Sequence, residues 1–285
     1  MQWSDIPPAA RALIEARFGA VTPGETASAG LTAGVACSAQ TGKGPVHIKA
    51  GPVDGPSAAQ YGRERAAADL LPPDAPAPRL LWAEDVDGWH VLVHEYLPGR
   101  PADLSPGSPD ITPVLRALRA DFGVGGEHVA TVKLAPMLQK AARFLVSPLG
   151  DTPVLRSCRE IMDGWDPATL PGETFTHGDV HPGNLHATED GVRLLDWGLS
   201  CAAPTWFDTA GLVLRLIAAG HTPAQAETLA AEIPAWAAAP ERDVARYVAV
   251  MTGFAAWAAA RGPERHRGRR AVTAAAGAAW LAVRA

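Results

Sequence analysis

The chain has 285 residues, 47% hydrophobic and 19% charged, enough for one large or two modest domains with a substantial core. Its formal net charge of −5 offers no general basic footprint, which argues against nucleic acid as a partner. The longest apolar run, 247–260, is too short to span a bilayer and is interrupted by Thr252 and Gly253, so no membrane partner is expected.

Pro7 to Phe18 predicts an opening helix, with Gly19 just past its end. Between Thr22 and Gly51 small and β-compatible residues alternate with glycine. Val35–Gln40 and Val46–Lys49 flank the turn Thr41-Gly-Lys-Gly44 and predict a hairpin. Gly55 to Leu71 predicts a helix that stops at Pro72-Pro73. Leu80–Glu84 and Trp89–Tyr96 predict a second hairpin, turned at Asp85-Val-Asp-Gly88. The stretch from Leu97-Pro-Gly-Arg-Pro101 to Asp110 is rich in Pro, Ser and Gly and predicts a linker or exposed loop. Beyond it helices are expected over Pro113–Asp121, Val132–Leu145, Val154–Trp165, Thr205–Ala219, Pro223–Ile233, Glu241–Ala260 and Ala271–Arg284. The class is therefore α+β: a small antiparallel sheet with one main helix in residues 1–97, then a larger, mostly helical part in residues 98–285. The cysteines Cys37, Cys158 and Cys201 are odd in number and far apart, which suits a reducing cytosol. The first residues have neither a basic start nor an apolar core, so no signal peptide is expected. A cytoplasmic location is expected, and a monomer or weak homodimer.

The richest stretch is Phe175-Thr-His-Gly-Asp-Val-His-Pro-Gly-Asn184, followed by Val192-Arg-Leu-Leu-Asp196-Trp197. Asp179 and Asn184 are five positions apart, the Asp-to-Asn spacing of a kinase catalytic loop. Asp196 follows twelve positions after Asn184, beyond a hairpin turned at Glu189-Asp190-Gly191. Two oxygen donors so placed suit Mg²⁺ and leave Asp179 free to receive a hydroxyl proton. A different class stays open on the same residues. His177, Asp179 and His181 alternate, and with His186 and Asp196 they could bind the metal of a hydrolase. Against this, Pro182-Gly183 breaks the strand such a site needs.

His177-Gly-Asp-Val-His-Pro-Gly-Asn184 with Leu195-Asp196-Trp197 resembles the signature of the aminoglycoside phosphotransferase and choline kinase family, a branch of the bilobal protein-kinase-like fold. The resemblance implies an ATP- and Mg²⁺-dependent phosphotransferase, with Asp179 as catalytic base and Asn184 and Asp196 as metal ligands. His177 and His181 would brace the loop, and Asp208 would anchor it to the next helix. Val46-His-Ile-Lys49 matches the strand of the phosphate-binding lysine, and Glu64 on the next helix is its expected partner. Gly30, Thr32 and Gly34 occupy the place of the phosphate-covering loop. Glu95, Tyr96 and Leu97 occupy the place of the connection whose backbone bonds adenine.

Acceptors in that family are small hydroxylated molecules. Residues 98–260 hold 12 Lys+Arg against 18 Asp+Glu, which favours a cationic acceptor such as an aminoglycoside or other basic antibiotic. Choline, homoserine, methylthioribose and sugar types are the alternatives. Asp163, Asp166, Glu173 and Asp208 are the acids expected within reach of such a cation. Residues 261–285 hold 6 Arg against 1 Glu, and Arg261–Arg270 reads as a solvated connection between the last two helices.

Overall fold

The computed structural model describes residues 1–26, 34–170 and 172–284. A five-stranded antiparallel sheet comes first, in the order β1-β2-β3-β5-β4, from Thr22–Thr26 (β1), Val35–Thr41 (β2), Gly44–Pro52 (β3), Leu80–Val86 (β4) and Trp89–Glu95 (β5). Strand alternation gives this sheet two different faces. Val35, Cys37 and Ala39, with Val46, Ile48 and Ala50 and with Val91 and Val93, form one face. Against it packs α1 (Pro8–Phe18) through Ala10, Ile14 and Phe18. The intervening residues His47 and Lys49 belong to the other face, beside α2 (Ala58–Leu70), whose Tyr61, Glu64 and Ala67 are buried. The single step in register thus turns Lys49 away from the apolar layer and toward the helix that carries Glu64.

The larger part is helical, as expected of its class. Its elements are α3 (Ile111–Leu118), α4 (Thr131–Leu145), α5 (Pro153–Met162), α6 (Phe207–Ala218), α7 (Pro223–Ala230), α8 (Pro234–Ala237), α9 (Glu241–Arg261) and α10 (Glu264–Ala282). The long helix α9 is flanked by α4, α5 and α10. Gly277 of α10 lies against Thr252 of α9, and a Cβ there would overlap the Thr252 side chain, so the close helix approach depends on this glycine. Trp280 is fully buried and donates its Nε1–H to Glu227 Oε1 at 2.9 Å.

Three expectations are corrected. Residues 98–110 are a folded connection. β6 (Arg100–Pro101) pairs with β8 (Leu185–Thr188), Ala102 and Leu104 are buried, and Asp110 accepts hydrogen bonds from both terminal nitrogens of Arg100 and from Asp103 N. The helix expected over Pro223–Ile233 ends earlier, at Ala230, and Pro234 starts a separate short helix beyond the expected range. The basic run 261–270 is largely helical, because α10 begins at Glu264 directly after Pro263, with an acidic residue in its first turn.

Candidate active site

The site forms where a short strand pair opens into a loop and a hairpin. β7 (Thr174–Thr176) pairs antiparallel with β10 (Cys201–Ala203), which fixes both ends of the segment between them. That segment holds the loop from His177 to Asn184 and the hairpin of β8 with β9 (Gly191–Leu194). Leu195 N donates to Asn184 O at 2.8 Å, so Asp196 returns beside Asn184. Asp196 has φ 64° and ψ 66°, the left-handed region that Asp and Asn tolerate better than most residues.

Buried polar groups hold the loop. Asp208, at the start of α6, accepts from His177 N at 2.7 Å and from Gly178 N at 2.9 Å. His177 is fully buried, accepts at Nδ1 from Asp179 N (3.2 Å) and donates from Nε2 to Leu195 O (2.8 Å). Both ring nitrogens are therefore spent on main chain. His181 Nδ1 accepts from Gly183 N at 3.0 Å, and His186 Nε2 donates to Leu97 O at 3.0 Å. These rings do not converge on a common ion. The hydrolase alternative built on His177, Asp179 and His181 is corrected on that ground.

Asp179 stands at the mouth of the loop with 29% of its side chain exposed. Lys133 Nζ lies 3.9 Å from its Oδ1 and also donates to Gly178 O, while His181 Nε2 lies 3.6 Å from its Oδ2. Burial works to raise the Asp179 pKa, but Lys133, the two histidines and Arg215 outweigh it and hold the carboxyl below its ordinary range. Asn184 Nδ2 donates to Asp179 O at 3.1 Å, which leaves Asn184 Oδ1 without a donor among the described residues. Asp196 Oδ1 accepts from Lys49, and its Oδ2 has no partner among the described residues.

Lys49 Nζ donates to Glu64 Oε1 at 2.7 Å and Oε2 at 2.8 Å, and to Asp196 Oδ1 at 3.0 Å. Burial opposes the ammonium, but the two carboxylates prevail and keep its pKa above the ordinary lysine value. His94 on β5 adds a neighbour that the sequence does not advertise. Its Nε2 lies 3.6 Å from Glu64 Oε1, its Nδ1 is buried without a partner among the described residues, and burial draws its pKa down to about 3, so the ring is neutral. Lys133 and Arg215 are two further neighbours of this kind. Each lies in a helix far from the loop in sequence, and no local pattern marks it. Arg215 Nε donates to Val180 O at 3.2 Å.

The remaining expected site residues are less closely gathered. Gly30 and Thr32 lie outside the described residues. Gly34 sits against Tyr61, where a Cβ would overlap the phenol oxygen. Glu95 N donates to Arg79 O and its carboxylate accepts from Arg79 N and Nε, so the Glu95 side chain is committed to Arg79. Leu97 O is taken by His186, whereas the backbone N–H groups of Tyr96 and Leu97 have no acceptor among the described residues. Of the acids expected near a cationic acceptor, Asp208 is spent on the loop and Asp166 accepts from Ala168 N.

A model of the phosphotransferase enzyme family matches residues 49–247. No curated protein matches the chain in sequence. Among solved structures, a thermostable mutant of aminoglycoside phosphotransferase APH(4)-Ia in complex with ADP and hygromycin B is similar, with a TM-score of 0.62, 14% identity, and coverage of 93% of this chain and 97% of that one. Choline kinase LicA from Streptococcus pneumoniae has a TM-score of 0.59 at 15% identity, covering 95% and 99%. Spectinomycin phosphotransferase APH(9)-Ia, in complex with ADP and spectinomycin, has a TM-score of 0.58 at 12% identity, covering 94% and 93%. At such identities the likeness is one of fold, the protein-kinase-like arrangement of sheet and helical part. The family match spans well over half of the chain, and the protein belongs to the phosphotransferase enzyme family.

Proposed function

We propose that this phosphotransferase moves the γ-phosphate of ATP to a hydroxyl group of a small molecule, with Asp179 as the base. The observation that carries this reading is the convergence of Lys49, Glu64, Asp196, Asn184 and Asp179 from distant parts of the chain into one continuous polar site. Phosphoryl transfer asks for a cation on the phosphates, oxygen donors for a metal, and an acceptor for the hydroxyl proton. In this reading residues 1–97 hold the nucleotide and residues 98–285 hold the acceptor.

Lys49, oriented by Glu64, meets the phosphates. The unpaired N–H groups of Tyr96 and Leu97 bond the adenine. Gly30, Thr32 and Gly34 cover the phosphates. Asn184 Oδ1 and the Asp196 carboxylate would hold Mg²⁺, and they fit it: both are hard oxygen donors, and Asn184 is turned by its bond to Asp179 O so that its oxygen is left over. Bound there, Mg²⁺ neutralises charge on the phosphate oxygens. Asp179 remains ionised next to Lys133 and accepts the proton from the acceptor hydroxyl, while the Asp208 carboxylate keeps the loop backbone in place.

Lys49→Ala is expected to raise the KM for ATP about tenfold or more, the weight of a charge-assisted contact to phosphate. An ATP dependence equal to that of the parent would remove Lys49 from the site. The reading as a whole is tested with purified protein, Mg-ATP and a panel of hydroxylated acceptors, following thermal stabilisation, ADP release and product mass. Neither stabilisation nor ADP release with any acceptor would sink it. An aminoglycoside or other basic antibiotic is one reading of the acceptor, supported by likeness of fold to enzymes of that kind and by the negative balance of residues 98–260. The charges beside Asp179 have the opposite sign.

A further inference from the structure

Arg215, Arg269 and Arg270 gather on the α10 side of the catalytic loop and Lys140 lies farther along α4, all four without carboxylate partners among the described residues. Arg215 of α6 lies half-buried between the catalytic loop and α10: its Nε donates to Val180 O at 3.2 Å and its NH1 to Thr273 Oγ1 at 2.8 Å. Arg269 and Arg270 precede Thr273 by one turn of α10, and Thr273 Oγ1 donates to Arg269 O at 3.1 Å. The Arg270 guanidinium lies 5.6 Å from the centre of the Phe254 ring on α9. Lys140 of α4 also approaches the Phe254 ring, at 5.9 Å, and lies 4.8 Å from Trp257, which stacks on Phe254 at 5.5 Å. Lys133 lies two turns before Lys140 on α4 and reaches Asp179 itself.

Local charge here is positive although residues 98–260 carry a negative sum, because α10 brings Arg269 and Arg270 from the positive segment 261–285. No carboxylate of the described residues lies within 4.0 Å of Lys140, Arg215, Arg269 or Arg270. The two acids nearby are committed, Asp208 to His177 N and Gly178 N, and Asp179 to the expected proton transfer. Burial, then the neighbouring arginine charges, draws Arg270 below the ordinary guanidinium pKa, with Asp179 opposing; Arg215 is drawn down chiefly by burial. Partly desolvated guanidinium groups without counterions repel one another and attract an incoming anion. Arginine also offers carboxylate and phosphate a bidentate geometry.

We propose that the acceptor is an anionic hydroxylated molecule, whose carboxylate or phosphate is held by Arg269 and Arg270, with Arg215 and Lys140 adding positive field, while its hydroxyl faces Asp179. This rests on the phosphotransferase reading and replaces the cationic acceptor by an acidic one. A polyamine would meet like charge on the α10 and α4 sides of the site, which suppresses wrong partners.

The test uses the full chain with Mg-ATP and three acceptor sets: hydroxy acids (glycerate, gluconate), phosphate esters (glycerol phosphate, ribose phosphate) and the polycation kanamycin. Binding by calorimetry and ADP release are both followed. One of the two anionic sets is expected to bind and be phosphorylated, which identifies the anion, and kanamycin to do neither. Arg269→Ala with Arg270→Ala is expected to raise the KM for the anionic acceptor at least about tenfold, with the KM for ATP within about twofold. Arg269→Glu, at an exposed position, supplies a second reading if loss of Arg270 costs the fold, and it too is expected to weaken the anion. Kanamycin turnover would overturn the proposal. So would failure of both anionic sets in protein that Mg-ATP still stabilises, or an unchanged anion KM in the variants. Absence of stabilisation by Mg-ATP and of any ADP release would count instead against phosphoryl transfer itself.

Discussion

Asp179→Asn is expected to lower turnover by about 10²–10⁴-fold, the usual contribution of a positioned general base. The change keeps the side chain's size and removes one charge. Lys133, 3.9 Å away, then loses the carboxylate that balances it but keeps its bond to Gly178 O. The loop should persist, because it is fixed by Asp208, His177 and Asn184 through main-chain atoms. Stabilisation by Mg-ATP is therefore expected to survive in the variant. Turnover close to that of the parent would show that another group takes the hydroxyl proton.

Asp196→Asn is expected to remove most of the stabilisation by Mg-ATP, read as the rise in Tm on adding the nucleotide. At a ligand concentration about one hundred times Kd, binding stabilises a folded protein by about 2.7 kcal/mol, and the variant should lose most of that. Asparagine is preferable to alanine because φ at this position is 64°, where a Cβ without a local polar partner costs roughly 1–2 kcal/mol. An effect seen with asparagine then reports the lost charge rather than a strained backbone. Lys49 keeps Glu64 in the variant, so the unliganded protein should remain folded. A full Mg-ATP shift in Tm would take Asp196 out of the metal site.

The catalytic stretch was legible because its chemistry is local: His177, Asp179, His181, Asn184 and Asp196 fall within one loop and one hairpin at fixed spacing. The neighbourhood of Lys49 and Glu64 could be read from element order, since strand alternation turns Lys49 to the side on which the following helix must pack. The helical character of 261–270 was hidden by its charge density. Packing of α10 on α6 and α9 overrides that signal, with His266 and Thr273 buried in the contact. The pairing of β6 with β8 and of β7 with β10 involves strands of two to four residues, too short to show a period. Lys133, Arg215 and Arg270 come near Asp179 only through tertiary structure, and Arg270 belongs to the positive segment 261–285, so the sum over 98–260 alone does not describe their surroundings.

The three-way contact of Lys49 has a bearing on how the chain assembles. Its two carboxylates lie at very different distances along the sequence, 15 positions away for Glu64 and 147 for Asp196. Loop-closure entropy grows only logarithmically, so the longer closure costs about 2 kcal/mol more than the shorter. The Glu64 bond can form as soon as the sheet and α2 meet. The Asp196 bond requires that the hairpin beyond the catalytic loop has also been made and docked. One ammonium group thus joins a contact that is near in sequence to one that is far. Its second bond ties the lysine strand to the hairpin beyond the catalytic loop, across 147 positions of chain.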